Sequence, residues 1–378
     1  MRIGFYAPMK PPDHSSPSGD RTMARSLIEA MAFAGHEVQV MSDFRSLDIH
    51  GDPATQQSLE STGKETAVGI LKAVKSGAVP PVDLWFTYHL FHKAPDWLGP
   101  EVSMTLGIPY AVAEASYAPK QQKGPWHTGL VQVETALRAA AGIASLNPRD
   151  LECIQPFLSI DAKQTALLPF ARDRTSLDPT GKVLKKTLSR KLGIDPGDPW
   201  LVTVAMMRKG DKERSYHMLA SALAQITDLR WRLVVIGDGE VGDSVRDAFE
   251  PLGRGRICFC GMLDSSETER YLEAGDVFVW PAIHEAFGMA ILEAQRHGLP
   301  VVAGFTDGVA TIVEDRSSGL LTASEETDAF AEAMRTLIED HDLRKSMGNN
   351  AREKFLKNHT LEATSQTLDR FLRSLKTR

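Results

Sequence analysis

The chain has 378 residues, 42% of them apolar and 24% charged, with a formal net charge of −6. That length exceeds the ~250–300 residues at which a single core stops growing, so two domains are expected. The acidic balance argues against a general nucleic-acid binder, although a local basic cleft is still allowed. No apolar run reaches the ~18–20 residues of a membrane-spanning helix. Three cysteines, Cys153, Cys258 and Cys260, lack C-x-x-C spacing, which implies reduced thiols, a cytoplasmic location and no cysteine-built metal site. The N-terminus, MRIGFYAPMK, is too short and polar for a signal peptide.

A short apolar strand is expected over Ile3–Tyr6, then a long Pro-, Ser- and Gly-rich loop to Arg21. Met23, Leu27, Met31 and Ala34 have helical spacing, so a helix over Thr22–Ala34 follows, closed by Gly35 and leading to a strand over Glu37–Met41. This is the start of a β-loop-α-β unit, but the loop lacks the G-x-G-x-x-G spacing of a dinucleotide site. Residues 51–76 are polar and helix-prone. Strands are expected over Val82–Tyr88, Tyr110–Ala113, Ile143–Leu146 and Thr165–Pro169, with a helix over Leu130–Ala141. Composition then turns basic, polar and turn-rich. The reading is a first domain over 1–172, a connection containing one helix over 173–198, and a second domain over 199–359.

The second half repeats the alternation. Strands are expected over Leu201–Met206, Arg232–Ile236, Ile257–Cys260, Val277–Trp280 and Val301–Ala303, separated by helices over Tyr216–Ile226, Val241–Phe249 and Ser266–Ala274. A short apolar stretch, Gly319–Thr322, precedes a helix over Ala329–Glu339. The fold class is α/β, with two Rossmann-like domains facing a cleft. The tail from Leu361 to Leu375 is amphipathic, and its helix, over 360–378, is expected to pack back onto the first domain.

The most informative stretch is Trp280–Pro300, WPAIHEAFGMAILEAQRHGLP. Pro281 ends a buried strand, Gly288 opens a helix, and Gly298 with Pro300 closes it. Glu285 lies in the loop after the strand and Glu293 on the second helical turn. Backbone N–H groups from Phe287 through Gly288 and Met289 to Ala290 favour an anion such as phosphate. A carboxylate can accept from both hydroxyls of a cis-diol, which suits Glu293 to a ribose and Glu285 to sugar hydroxyls.

The run H-E-A-F-G-M-A-I-L-E-A followed by G-L-P-V-V-A resembles the E-x7-E signature of glycosyltransferase family 4, retaining enzymes of the GT-B fold that use nucleotide-activated sugars. V-V-I-G-D-G and F-C-G-M-L add to the resemblance, whose specific motifs lie between about residues 201 and 322. It implies a donor site with Gly237, Gly261, Met262, Leu263, Phe287, Gly288, Met289, Ala290 and Glu293, and a first domain that binds a carbohydrate or lipid-linked acceptor. It also implies that Arg208 and Lys212, after the strand ending at Met206, bind the donor diphosphate. Ala205 stands where the family has glycine and the spacing differs, so Lys209 competes with Lys212.

Gly19 is what remains of the family's glycine-rich loop, with Asp20 and Arg21 as further candidate contacts; Ser18 and Asp20 read equally as helix caps. Many relatives have a histidine where Ala115 falls. Glu114 beside it is a candidate hydroxyl contact or base, and His89 and His92 are further candidates. Asp340-His341-Asp342 mimics the metal motif of the other large glycosyltransferase fold but reads as a solvated helix cap, so no metal or other cofactor is expected. Basic residues at the tail, Arg370, Arg373, Lys376 and Arg378, make a peripheral membrane contact a further expectation.

Overall fold

Why each half folds is plain from its central strands, which are near-continuous apolar runs of the kind that only a parallel sheet covered on both faces can bury. The fold comes from a computed structural model that describes the chain apart from residues 17, 147, 174–180, 254, 287 and 376–378, and apart from the side chains of 148, 149, 181 and 182. The chain divides into two units, Met1–Leu167 with the chain from Leu361 onward, and Leu168–Thr360.

In the first unit the strands are β1 (Arg2–Tyr6), β2 (Glu37–Val40), β3 (Leu84–Leu90), β4 (Tyr110–Ala115), β5 (Gly142–Ser145) and β6 (Lys163–Ala166). They form one parallel sheet in the order β2-β1-β3-β4-β5-β6. Its helices are α1 (Gly19–Phe33), α2 (Pro53–Ser76), α3 (Gly99–Leu106), α4 (His127–Ala139) and α5 (Pro148–Ile154). Trp85, Phe86, Val112 and Ile143 are fully buried along the centre of the sheet, each contributing about 1.5–3 kcal/mol by leaving water. Asp96 is buried too, and is held by Thr87, Tyr110 and the backbone N–H groups of Leu98 and Gly99.

In the second unit α6 (Gly181–Leu192) precedes β7 (Trp200–Val204), α7 (Asp211–Ala224), β8 (Arg232–Ile236), α8 (Gly242–Phe249), β9 (Ile257–Phe259), α9 (Ser265–Ala274) and β10 (Val277–Trp280). Then follow α10 (Met289–Arg296), β11 (Val301–Gly304), α11 (Asp307–Ile312), β12 (Gly319–Thr322), α12 (Thr327–Glu339) and α13 (His341–Asn358). The parallel sheet has the order β12-β11-β10-β7-β8-β9. The stretch read from sequence as a connection carries α6, which packs on α9 within this unit. The last helix, α14 (Leu361–Ser374), buries Leu368, Phe371 and Leu372 and packs on α1 and β6 of the first unit. His36 and Asp369 join α14 to the end of α1 at 3.0 Å.

Two helices start earlier than the apolar spacing indicates. α1 begins at Gly19, with Ser18 Oγ accepting from the Arg21 N–H. α7 begins at Asp211 behind Gly210, because its first turn is polar and acidic and is stabilised by the helix dipole rather than by burial. α13 is mostly polar and buries only a narrow face, with Met347, Ala351 and Phe355 at i, i+4 and i+8; Asp340 caps it by accepting from the Leu343 N–H at 2.8 Å.

Candidate functional site

Strand order reverses once in each sheet, and ligands of open parallel sheets bind beyond the strand ends at that reversal. In the second sheet the reversal lies between β7 and β10. Beyond β10, Ala282 (φ 55°) and His284 (φ 50°) both take the left-handed conformation. This costs a residue with a Cβ about 1–2 kcal/mol. The tight path presents Glu285, whose own N–H donates to Ala282 O at 3.0 Å and whose carbonyl accepts from Thr306 Oγ1 at 2.9 Å. Gly288 (φ 72°) caps α10, and a Cβ there would press on the Ile291 side chain. Met289 and Ala290 form the first turn of α10, half-buried.

The β7 side brings the opposite charge. Tyr216 Oη donates to Ala205 O at 2.6 Å, and Met207 N–H to Asp238 O at 3.0 Å, so the loop after β7 is fixed against the loop after β8. Gly237 is required there: its φ is 143°, and a Cβ would overlap the Ala205 carbonyl oxygen. Lys212, in the first turn of α7, forms an ion pair with Glu285 Oε2. The Trp280 indole N–H donates to that same oxygen at 3.3 Å, and the Lys212 ammonium lies 5.3 Å from the Trp280 ring. Cation, carboxylate and aromatic ring thus converge at the reversal.

The structure separates the two competing lysines. Lys209 is exposed and, among the described residues, only its backbone N–H is engaged, donating to Glu240 at 3.2 Å. Arg208 is exposed at the same loop, its carbonyl accepting from the Glu213 N–H at 3.1 Å. Glu293 is half-buried on α10 and is engaged with its surroundings. Gly261 (φ 69°) turns the chain after β9, with Met262 exposed and Leu263 packed against the core. Phe287 lies outside the described residues. Sequence reasoning missed Trp280 and Thr306 as partners of Glu285, and missed that Met206, Met262 and Phe305 are all exposed just beyond strand ends of this sheet. The tryptophan directly before Pro281 was the available signal.

In the first sheet the reversal lies between β1 and β3. Asp20, in the first turn of α1, meets His89 near the end of β3, Oδ1 to Nδ1 at 3.0 Å. His89 (φ 64°) and Glu114 (φ 56°) are both left-handed, and they stand level on neighbouring strands, between the pairs Tyr88–Ala113 and Leu90–Ala115. Burial opposes a charge on His89, but the Asp20 hydrogen bond and the charges of Glu114, Asp20 and Asp150 outweigh it, so its pKa is raised. The hydrogen bond from His89 holds Asp20 below its ordinary value. Burial and the charge of Glu114 push Asp150, on α5, up to about 6. Gly19 is the first residue of α1, and a Cβ there would meet nothing within 4 Å. Arg21 ties the preceding loop together through the carbonyls of His14 and Ser15. His92 is buried against Phe91, with ring centroids 4.1 Å apart, in a packing role.

Among the described residues, no group of three His, Cys, Asp or Glu is arranged to hold a metal ion, and no helix is long and apolar enough to cross a membrane. Residues 185–354 match the model of the family described as "Glycosyl transferases group 1". That segment holds Arg208, Lys212, Gly237, Gly261, Trp280, Glu285, Gly288, Glu293 and Thr306. Over 45% of its length the chain is 30% identical to a lipopolysaccharide core biosynthesis glycosyltransferase, LpsE, of Rhizobium meliloti (strain 1021), and the match spans 49% of that protein. A glycosyltransferase from Rickettsia africae ESF-5 is similar in structure over 100% of this chain and 99% of its own, with a TM-score of 0.74 and 16% identity. So is HepE of Anabaena, solved in complex with UDP, over 99% and 100%, with a TM-score of 0.71 and 19% identity. These likenesses show the fold, two Rossmann-like α/β domains, over the whole chain.

Proposed function

We propose that the protein is a retaining glycosyltransferase that moves a sugar from a nucleoside-diphosphate sugar to a hydroxyl of a carbohydrate or lipid-linked acceptor. The observation that carries this reading is the convergence of Lys212, Trp280 and Glu285 with the start of α10 at the reversal of the second sheet. A diphosphate needs fixed positive charge and backbone donors, and a sugar needs a carboxylate that accepts from its hydroxyls. The family match over 185–354 and the likeness to a protein solved with UDP support the same assignment.

In this reading Lys212 and Arg208 offset the charge on the leaving diphosphate, and the N–H groups at the start of α10 bind one of its phosphates. Glu285 orients the sugar and Glu293 holds the ribose. Asp20, His89 and Glu114 of the first unit address the acceptor. The bond from the anomeric carbon to the phosphate oxygen breaks, and the bond to the acceptor oxygen forms on the same face. The acceptor proton passes to the departing phosphate oxygen. Fixed charge supplies the electrostatic stabilisation, so no metal is required, and transfer should proceed at the same rate in EDTA.

The test is mass spectrometry of reactions with UDP-, GDP- and ADP-sugars and a mixed glycan and glycolipid acceptor pool. A glycoside product supports the transferase. An isomeric sugar nucleotide would replace it with an epimerase, and binding without turnover with a binding protein.

A further inference from the structure

Lys212 and Glu285 are each other's partners, yet the proposed reaction asks both to bind different parts of one ligand. Lys212 is wanted by the diphosphate and Glu285 by the sugar. We propose that this ion pair is an exchange contact that expels the product nucleoside diphosphate. An intact nucleotide sugar separates the pair but compensates both ends, phosphate for the lysine and hydroxyls for the glutamate. After transfer the sugar is gone with the acceptor. Glu285 then has no hydroxyl partner and competes with the nucleoside diphosphate for Lys212.

Two features suit the pair to this exchange. Glu285 is the fixed member, with a side chain only 17% exposed on a loop pinned through Ala282 and Thr306. A partly buried carboxylate stripped of its cation, with Trp280 as its remaining side-chain donor among the described residues, is costly. Lys212 is the mobile member, a four-carbon stem that is 35% exposed at the start of α7. The ammonium can therefore swing between carboxylate and phosphate while the carboxylate stays in place.

The inference rests on the transferase reading above, and titration calorimetry of the full chain separates the two. The probes are UDP, GDP and ADP and their sugar derivatives. Glu285→Gln should bind the cognate nucleoside diphosphate roughly fivefold tighter than the parent, because Lys212 is no longer claimed by a carboxylate. It should bind the sugar nucleotide no tighter, so the parent's preference for the donor over the product shrinks. Lys212→Met should weaken diphosphate binding, and adding Glu285→Gln to it should change nothing further, an outcome that a merely structural role for Glu285 would not produce. If Glu285→Gln leaves the nucleoside diphosphate bound equally or more weakly, or if the gain persists in the double variant, the exchange is overturned while transfer by the parent stands. If the parent binds none of the nucleotides or sugar nucleotides, both the exchange and the transferase reading fall.

Discussion

Asp20 and His89, 3.0 Å apart, occupy a place in the first sheet like that of Lys212 and Glu285 in the second: each pair joins the helix after a sheet's first strand to the C-terminal end of the strand across its reversal, on β3 itself for His89 and in the loop beyond β10 for Glu285. The first pair differs in kind. Its imidazole carries a raised pKa and is flanked by Glu114 and Asp150 as well as Asp20. His89 therefore keeps its imidazolium form to a higher pH than a free imidazole, and in that form it can donate to an acceptor oxygen while the carboxylates accept from the acceptor's hydroxyls. His89→Gln should raise the acceptor KM at least tenfold and leave donor binding unchanged. An imidazole is charged below its pKa and loses its charge as pH rises through it. Acceptor kcat/KM of the parent should accordingly fall with rising pH above about 6.5, and the profile of His89→Gln should be flat there. A profile that His89→Gln leaves unchanged would remove His89 from acceptor binding.

The two lysines after β7 give a second test. Lys212 reaches Glu285, whereas Lys209 is exposed and makes its contact through the backbone. Lys212→Ala should lower kcat/KM for the donor by about 100-fold, as expected when one charge-assisted contact to a developing diphosphate is lost. Lys209→Ala should stay within about threefold of the parent, in line with a solvated surface charge. Steady-state kinetics at one acceptor concentration decide between them, and the reverse ranking would place the loop differently around the donor.

How far the sequence reaches is clear from these same residues. The central strands of both sheets, Glu285, Gly288 and Glu293 follow from apolar runs and turn residues, because those patterns are local, whereas the polar edge strand β6 begins at Lys163, two residues before the strand expected over Thr165–Pro169. Lys212 looks like a loop residue, since the apolar spacing of α7 begins only at Tyr216; the helix starts five residues earlier, on an acidic first turn. α13 escapes because its sequence is mostly polar, although Met347, Ala351 and Phe355, at i, i+4 and i+8, bury one narrow face of it behind the Asp340 cap. The pairing of Asp20 with His89, and the level placement of His89 with Glu114, depend on strand order and register. No single segment encodes those.

Glycines in the two turns beyond β8 and β9 separate packing from conformation. A Cβ at Gly237 would overlap the Ala205 carbonyl oxygen in a backbone conformation that side chains rarely adopt, whereas a Cβ at Gly261 meets nothing within 4 Å. Gly237→Ala should therefore destabilise the protein by more than about 3 kcal/mol, combining strain with forced movement of the β7 loop. Gly261→Ala should cost only the left-handed penalty, about 1 kcal/mol. Urea unfolding followed by circular dichroism measures both, and equal losses would show that the β7 loop yields freely.

The limits of the second unit are clipped together by one buried histidine. His359 Nδ1–H donates to Pro169 O at 2.6 Å, and Ala171 N–H donates back to His359 O at 2.9 Å. Burial lowers the pKa of His359 to about 4, and burial with the charges of Arg296 and Arg352 does the same to His297. Above about pH 4 both rings are thus neutral in the fold, and between there and their unfolded value of about 6.5 they take up a proton on unfolding. Between about pH 6.5 and 4 the unfolded chain binds more protons than the folded one, so stability falls as pH falls, with a slope of up to about 1.4 kcal/mol per pH unit for each histidine. Above pH 7 neither contributes a slope. His359→Gln keeps a hydrogen-bond donor but cannot titrate, so its urea midpoint should fall less steeply than the parent's between pH 6.5 and 4.5. Parallel slopes for the two proteins would show that His359 is protonated as readily in the fold as out of it.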